Sequence, residues 1–146
     1  MFGNKGYTGI PVVFLCYTRN GRLLMEKKFR QDDETAKKWD AGRGQLRLKE
    51  TSIHALRREV MERYGAGIIR HECLGNTYDY IIGNIEGETI KTSSIDFKVL
   101  VDINGVINGK PDEIEAIGWF SMNSLPSTGE LHPQFLVFLQ KYKDRL

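Results

Sequence analysis

The sequence predicts an α/β fold in which strands surround two helices, and three stretches of the chain indicate it. Residues 10–17 form a β-branched and aromatic run with the composition of a buried strand. Apolar residues recur at helical spacing from about Ser52 to Tyr64 and again from Pro133 to Tyr142. Because strand-like runs lie before and between these two segments, the chain is interpreted as an α/β protein.

Composition and charge narrow the class of protein. The chain has 146 residues, 40% of them apolar and 27% charged, so we expect a single globular domain spanning residues 1–146. The net charge of +2 is too small to indicate binding to nucleic acid or to a membrane. The longest apolar run, residues 10–17, is too short to span a bilayer, and the N-terminus lacks a signal-peptide pattern. Cys16 and Cys73 are interpreted as reduced core thiols, which indicates a cytoplasmic protein.

The first strand is predicted to belong to a hairpin. Asn20-Gly21 predicts a two-residue turn, and residues 22–29 predict the return strand. Residues 1–8 are predicted to be a loose lead-in. Residues 30–38 are polar and without periodicity, so we expect a flexible loop there.

Strand patterns return after the first helix. A strand region is predicted from residue 67 to about residue 82, a turn over residues 83–88 and a second strand over residues 95–101. Tyr78 and Tyr80 alternate, so both face the same side of a strand. They either pack against the sheet or stack on a nucleobase, and the sequence leaves both interpretations open.

The helix predicted from Ser52 to Tyr64 has one apolar and one charged side. Thr51 and Ser52 are candidate N-caps, and Gly65 follows the last turn. Four apolar residues spaced 3, 4 and 4 apart form one stripe that faces a core: Ile53, Leu56, Val60 and Tyr64. The charged residues Arg58, Glu59 and Glu62 lie off that stripe.

The charged side of this helix carries the first candidate site. Glu59 and Glu62 are three residues apart, so their carboxylates can point to one place, and Glu50 lies just upstream. Oxygen donors beside the glycine-containing loop around Gly42 and Gly44 suit a hard cation such as Mg²⁺. The alternative is that these charges form an ordinary solvated helix face.

The spacing of these residues resembles the Nudix box, the signature of the Nudix (MutT-like) hydrolases. That pattern is G-x5-E-x7-R-E-U-x-E-E-x-G-U, where U is aliphatic. Seven residues match it in register: Gly44, Glu50, Arg58, Glu59, Val60, Glu62 and Gly65. The second glutamate of the E-E pair is replaced by Arg63, a cation that cannot coordinate a metal.

The resemblance implies the fold and the reaction. It implies an α/β/α sandwich in which a mixed β-sheet lies between the Nudix-box helix and a C-terminal helix. It also implies a hydrolase that cleaves the pyrophosphate linkage of a nucleoside diphosphate bonded to another group, by water attack assisted by Mg²⁺ or Mn²⁺. The implied partner is a small nucleotide-type molecule, and a homodimer is a further possibility.

The resemblance also implies roles for individual residues. Glu59 and Glu62 would bind the metal, and one of them would assist deprotonation of water. Arg58 would hold a carboxylate, with Glu50 as the group it orients or as an outer ligand. The backbone carbonyl of Arg43 would complete the metal shell.

Further site residues are expected outside the box. The resemblance implies that an acidic residue before Trp119-Phe120 adds a metal or base function, with Glu113 the first candidate and Glu115 the second. The alternative is that both are solvated acids on a turn. Arg63 would contact a substrate phosphate, and Tyr78 and Tyr80 would contact the base. Because Arg63 replaces a ligand, a catalytically impaired nucleotide-binding or regulatory module is the alternative function. A protein–protein contact module is a third possibility, for which the sequence shows no clear exposed apolar patch.

Overall fold

We describe a computed structural model of the chain, covering residues 7–29, 37–76, 80–102 and 104–146. Across these ranges the chain forms two α-helices, α1 (Ser52–Tyr64) and α2 (Pro133–Tyr142). The strands in the same ranges are β1 (Tyr7–Tyr17), β2 (Leu23–Lys28), β3 (Trp39–Asp40), β4 (Gly42–Arg47), β5 (Ile68–Gly75), β6 (Tyr80–Ile85), β7 (Glu88–Thr92), β8 (Ile95–Val101) and β9 (Ile114–Phe120). No helix in the described part of the chain is long and apolar enough to cross a membrane.

The main sheet is mixed and has β1 at its centre. Its strand order is β3-β2-β1-β8-β5, with β4 also paired to β1 and β9 also paired to β2. The β1–β8 pair is parallel, with Val12 opposite Ile95, and the other pairs of this sheet are antiparallel. Strands β6 and β7 form a separate antiparallel hairpin. The β4–β1 pairing matters most for the site, because β4 carries the loop that precedes α1.

Two apolar layers lie on opposite faces of the main sheet. Alternation along β1 sends Val12, Phe14 and Cys16 into the layer under α1, and Val13 and Leu15 into the layer under α2. Residues of α1 and of α2 close these two layers from outside. The predicted α/β/α sandwich, with a mixed sheet between the box helix and the C-terminal helix, is therefore confirmed.

The bounds of both helices agree with the sequence because their end signals are local. Thr51 is the N-cap of α1, and its side-chain oxygen accepts a hydrogen bond from the His54 N–H at 3.1 Å. Gly65 ends α1 in the left-handed conformation, with φ of 63°. Pro133 lies in the first turn of α2, where it has no hydrogen bond to lose.

Several local predictions differ from the structure. The turn between β1 and β2 is not a two-residue one: Thr18 N–H donates to the Arg22 carbonyl at 2.9 Å across residues 19–21, and Gly21 takes a φ of 82°. Cys73 is exposed on β5 and is not a core thiol, whereas Cys16 is buried. Cys73 precedes an irregularity in the β5–β8 register, which an alternation argument cannot anticipate.

The segment after β5 also differs from the prediction. The strand region predicted to about residue 82 is two strands, because β6 begins at Tyr80 and runs on to Ile85. The predicted turn over residues 83–88 reduces to Glu86-Gly87, and β7, which had no prediction of its own, follows it. The predicted lead-in (residues 1–8) and loop (residues 30–38) lie mostly outside the described residues, apart from Tyr7 and Thr8 in β1 and residues 37 and 38.

Candidate active site

Helix α1 presents its charged side beside strand β4, so the loop predicted around Gly42 and Gly44 is wrong: both glycines lie in β4 and pair with β1. Glycine is tolerated in this strand because the side chains of Phe14 and Glu59 approach its backbone closely. The apolar stripe is buried, with Leu56, Val60 and Tyr64 each at 0% exposure. On the adjoining side Glu59 is 6% exposed, whereas the side chain of Glu62 is 36% exposed. The two carboxylates thus lie at different depths of one surface, the first nearly buried and the second at the rim.

Arg58 gathers the three carboxylates of the box. Its Nε and Nη2 donate to the two oxygens of Glu50 at 2.8 and 3.0 Å, which is the bidentate geometry of a guanidinium–carboxylate pair. Its Nη1 lies 3.5 Å from an oxygen of Glu59 and 3.5 Å from an oxygen of Glu62. Because one nitrogen is shared, Glu59 and Glu62 converge on one point, as their helical spacing predicts.

The pairing with Arg58 keeps Glu50 ionised. The hydrogen bond from Arg58, helped by a 2.9 Å hydrogen bond from the Arg47 N–H, lowers the pKa of Glu50 to about 2. Arg58 also donates from Nη2 to the carbonyl of Gln45 at 2.9 Å, so it ties α1 to β4. Glu50 and Arg58 therefore act as a fixed pair that supports the loop before the helix.

Gly44 creates the space that the Glu59 carboxylate occupies. A Cβ placed on Gly44 would lie 2.0 Å from Glu59 Oε2 and 2.1 Å from its Cδ. Only glycine permits this approach, which explains on steric grounds why the first residue of the box is glycine. Burial in this cleft raises the pKa of Glu59, against the opposing effect of Arg63 and Arg58.

Arg43 lies in β4, and its side chain is paired with Asp40. Its Nε and Nη2 donate to the carboxylate of Asp40 at 2.6 and 3.1 Å, and Lys28 lies 3.9 Å from the same carboxylate. Arg43 pairs with Val13 in the β4–β1 ladder and directly precedes Gly44. The backbone beside Glu59 is thus fixed by the β1 ladder and by the Asp40 pairing. A metal contact by the Arg43 carbonyl stays a prediction.

Arg63 lies in the interior, below the convergent carboxylates. It is 2% exposed, and its Nε and Nη2 donate to the two oxygens of Glu26 on β2 at 3.2 and 2.5 Å. The Tyr64 hydroxyl donates to Glu26 as well, at 2.7 Å, and Arg63 Nη1 donates to Glu113 at 3.1 Å. The structure therefore places Arg63 in a buried ion-pair network, and its predicted contact with a substrate phosphate stays a prediction.

The segment from Ile107 to Glu113 covers the C-terminal end of α1 and brings two charged residues to the site. The N–H groups of Ile107 and Gly109 donate to the carbonyls of Tyr64 and Arg63 at 2.9 and 2.8 Å. These contacts satisfy helix-end carbonyls that would otherwise lack partners. Beyond them, Lys110 lies 3.7 Å from Glu62, and Glu113 reaches Arg63.

Two residues of this cluster were not singled out as site residues from the sequence. Glu26 was predicted only as part of the return strand over residues 22–29, although its period-two alignment with the buried Leu24 was a signal that both face α1. Lys110 carried no signal, because only the folded segment brings it to Glu62. Of the other candidates, Glu115 is exposed on β9, Tyr80 opens β6, and Tyr78 lies outside the described residues.

No group of three or more histidine, cysteine or acidic side chains that could hold a metal occurs among the described residues. Arginines separate the carboxylates of this cluster. Arg58 lies between Glu50 and the pair Glu59–Glu62, and Arg63 lies against Glu26. The arrangement thus offers two adjacent carboxylates, Glu59 and Glu62, to a cation approaching from solvent.

The chain is similar in fold and in sequence to known proteins. The chain is similar to the MutT NUDIX hydrolase from Burkholderia pseudomallei, with 24% identity and a TM-score of 0.63 over 88% of this chain and 96% of that one. It is also similar to the MutT protein from Methanosarcina mazei Go1, with 19% identity and a TM-score of 0.70 over 97% of each chain. No protein of curated function matches the sequence. A family model described as the NUDIX domain matches residues 9–141. The chain therefore belongs to the NUDIX family.

Proposed function

We propose that this protein is a Nudix-type hydrolase that cleaves the pyrophosphate linkage of a nucleoside diphosphate bonded to another group, by metal-assisted attack of water. The observation that carries the proposal is the convergence of Glu59 and Glu62 on Arg58 Nη1, 3.5 Å from each, beside the Gly44 cleft. We further propose that residues 1–146 form one domain with this one site.

The residues fit a divalent cation such as Mg²⁺ or Mn²⁺ by the chemistry of their donors. Hard cations of this kind take oxygen ligands, and Glu59 and Glu62 offer carboxylate oxygens at one point. The buried Glu59 carboxylate has lost most of its water, so a cation beside it would compensate a real electrostatic cost. A bound cation would neutralise pyrophosphate oxygens and lower the pKa of a water molecule.

The other residues of the cluster would then act on the geometry of this site. Glu59 is the group we assign to accepting a proton from the attacking water, because its carboxylate lies in the Gly44 cleft next to Glu62. Arg58 holds Glu50 and, through the carbonyl of Gln45, strand β4. Lys110, beside Glu62, adds a positive charge at the rim that suits a phosphate oxygen. The Arg43 carbonyl would complete the ligand set.

The substrate proposed is a small nucleotide-type molecule. The pyrophosphate would lie at the Glu59–Glu62 rim, and Tyr78 and Tyr80 remain the residues proposed to stack on the base. We propose no role for nucleic acid or a membrane, and a cytoplasmic location and a homodimer remain proposals drawn from the sequence.

The test is release of phosphate, pyrophosphate or nucleotide from a substrate panel. Nucleoside triphosphates, oxidised nucleotides, ADP-ribose, dinucleoside polyphosphates and nucleotide sugars are each incubated with Mg²⁺, Mn²⁺ or a chelator. We expect metal-dependent release that Glu62→Gln abolishes while thermal unfolding stays unchanged, because Glu62 lies at the rim and little packing depends on its charge. Glu130→Gln, an exposed site on another turn, is the matched control. Equal turnover in Glu62→Gln and wild type would refute the metal role of Glu62.

A nucleotide-binding or regulatory module without catalysis is the second candidate function. The observation that favours it is Arg63, a buried cation in place of the last glutamate of the box. This function predicts no product from any panel member, together with ligand-induced thermal stabilisation that persists in chelator. Metal-dependent release of product would exclude it.

A further inference from the structure

Arg63 joins three elements that are distant in sequence. Its guanidinium lies on α1, its first carboxylate partner, Glu26, lies on β2, and its second, Glu113, precedes β9. Glu26 is 0% exposed and Arg63 is 2% exposed, whereas the side chain of Glu113 is 42% exposed. The network therefore runs from the sealed interior to the surface beside the site.

The charges of this network require a cation at the position of the guanidinium. Glu26 accepts from Arg63 with both oxygens and also from the Tyr64 hydroxyl, so its charge is compensated within the protein. Lys28, the other cation near Glu26, is 3.8 Å away and only ion-paired. A buried carboxylate without a counter-charge is strongly unfavourable, and the planar fork of arginine meets two oxygens at once. Arg63 thus supplies the positive charge between Glu26 and Glu113.

The same contacts separate Glu113 from the Glu59–Glu62 rim. Glu113 Oε1 accepts a hydrogen bond from Arg63 Nη1 at 3.1 Å, whereas one oxygen each of Glu59 and Glu62 lies 3.5 Å from Arg58 Nη1. The backbone of the same segment is fixed on α1 by the Gly109 N–H, which donates to the Arg63 carbonyl. Arg63 therefore holds this segment through both its side chain and its backbone.

We propose that Arg63 is a permanent internal cation that takes the place of a metal ion between Glu26 and Glu113, so that the protein binds one divalent cation, through Glu59 and Glu62. This inference rests on the proposed function, since it uses the same metal site. In this proposal Arg63 is a positioning residue, and Glu113 is the carboxylate that ties it to the segment before β9. It replaces the expectations that Glu113 binds the metal and that Arg63 binds a substrate phosphate.

The first experiment counts Mn²⁺ ions by electron paramagnetic resonance and follows thermal unfolding without substrate. We expect one bound Mn²⁺ in the wild type and two in Arg63→Gln, because removal of the guanidinium leaves Glu26 and Glu113 without the cation that bridges them, while Lys28 stays 3.8 Å from Glu26 alone. We also expect Mn²⁺ to raise the unfolding temperature of Arg63→Gln more than that of the wild type. Arg57→Gln, at an exposed position of the same helix, is the matched control and keeps one ion. A folded Arg63→Gln that binds no additional Mn²⁺ would overturn the inference.

A second variant decides the question if Arg63→Gln does not fold. Glu113→Gln changes a partly exposed side chain, and the inference predicts an Mn²⁺ affinity within about threefold of the wild type. Loss of even an outer-shell partner of a metal ligand typically weakens metal affinity by about 10- to 100-fold, and loss of a direct ligand should weaken it at least as much. Any weakening beyond threefold would therefore overturn the inference. If the wild type binds no Mn²⁺, the proposed function is refuted together with this inference. If the wild type hydrolyses its substrate and the Glu113→Gln variant no longer binds Mn²⁺, this inference alone is refuted.

Discussion

Replacement of Gly44 by alanine tests whether the cleft beside β4 sets the position of the Glu59 carboxylate. The added Cβ would lie 2.0 Å from Glu59 Oε2, 2.1 Å from Cδ and 2.5 Å from Cγ. These atoms form the end of a flexible side chain, so Glu59 can move aside while the backbone stays in place. The variant is therefore expected to alter the site and to leave the fold intact.

The size of each effect follows from this geometry. To reach an ordinary contact near 3.4 Å from a clash at 2.0 Å, the carboxylate must move by about 1.4 Å. A displacement of about 1 Å in a reacting group can lower turnover about 100-fold. The free energy of unfolding should change by no more than about 1 kcal/mol, because the lower entropy of the unfolded alanine chain offsets the strained Glu59 rotamer.

The assay compares kcat/KM on the substrate found in the panel, Mn²⁺ affinity and urea unfolding in one set of variants. Gly67→Ala is the control, because Gly67 is exposed and a Cβ there meets nothing within 4 Å. We expect Gly44→Ala to lose turnover and metal affinity at nearly unchanged stability. Wild-type turnover and Mn²⁺ affinity in Gly44→Ala would refute the reasoning. A loss of stability beyond about 3 kcal/mol would do so as well, because the backbone would then have moved.

Two further predictions concern stability. The hydrogen bond from Arg58 lowers the pKa of Glu50 to about 2, so this pair should stabilise the fold above the ordinary carboxyl pKa of 4.5 and lose its effect as the pH falls toward 2. Glu50→Gln should lower the free energy of unfolding by about 1 kcal/mol near neutral pH, and the difference from wild type should vanish in acid. Urea titrations that show a constant difference down to about pH 2 would contradict this. A Cβ on Gly109 would lie 2.0 Å from the backbone carbonyl of Glu62, which cannot move without opening the helix end. Gly109→Ala should therefore cost about 1–3 kcal/mol in the same assay, and stability equal to that of Gly129→Ala, whose Cβ meets nothing within 4 Å, would disprove the clash.

The helix bounds and the meeting of Glu59 and Glu62 depend on neighbouring residues, and both were predicted correctly from the sequence. The bounds of α1 and α2 agree because N-caps, a terminal glycine and Pro133 act within one helical turn. The convergence of Glu59 and Glu62 follows from their spacing of three residues.

Features that depend on residues far apart in the chain required the tertiary structure. Glu26 and Arg63 are 37 residues apart, and only the packing of α1 on β2 shows that Arg63, expected from the sequence to contact a substrate phosphate, is a buried cation paired with Glu26. The cleft at Gly44 exists because β4 pairs with β1 under the same helix, and Lys110 reaches Glu62 because its segment closes the helix end. The physical reason is that helical periodicity relates residues within a turn. The environment of a charge, and so its role, depends instead on which distant elements exclude water around it.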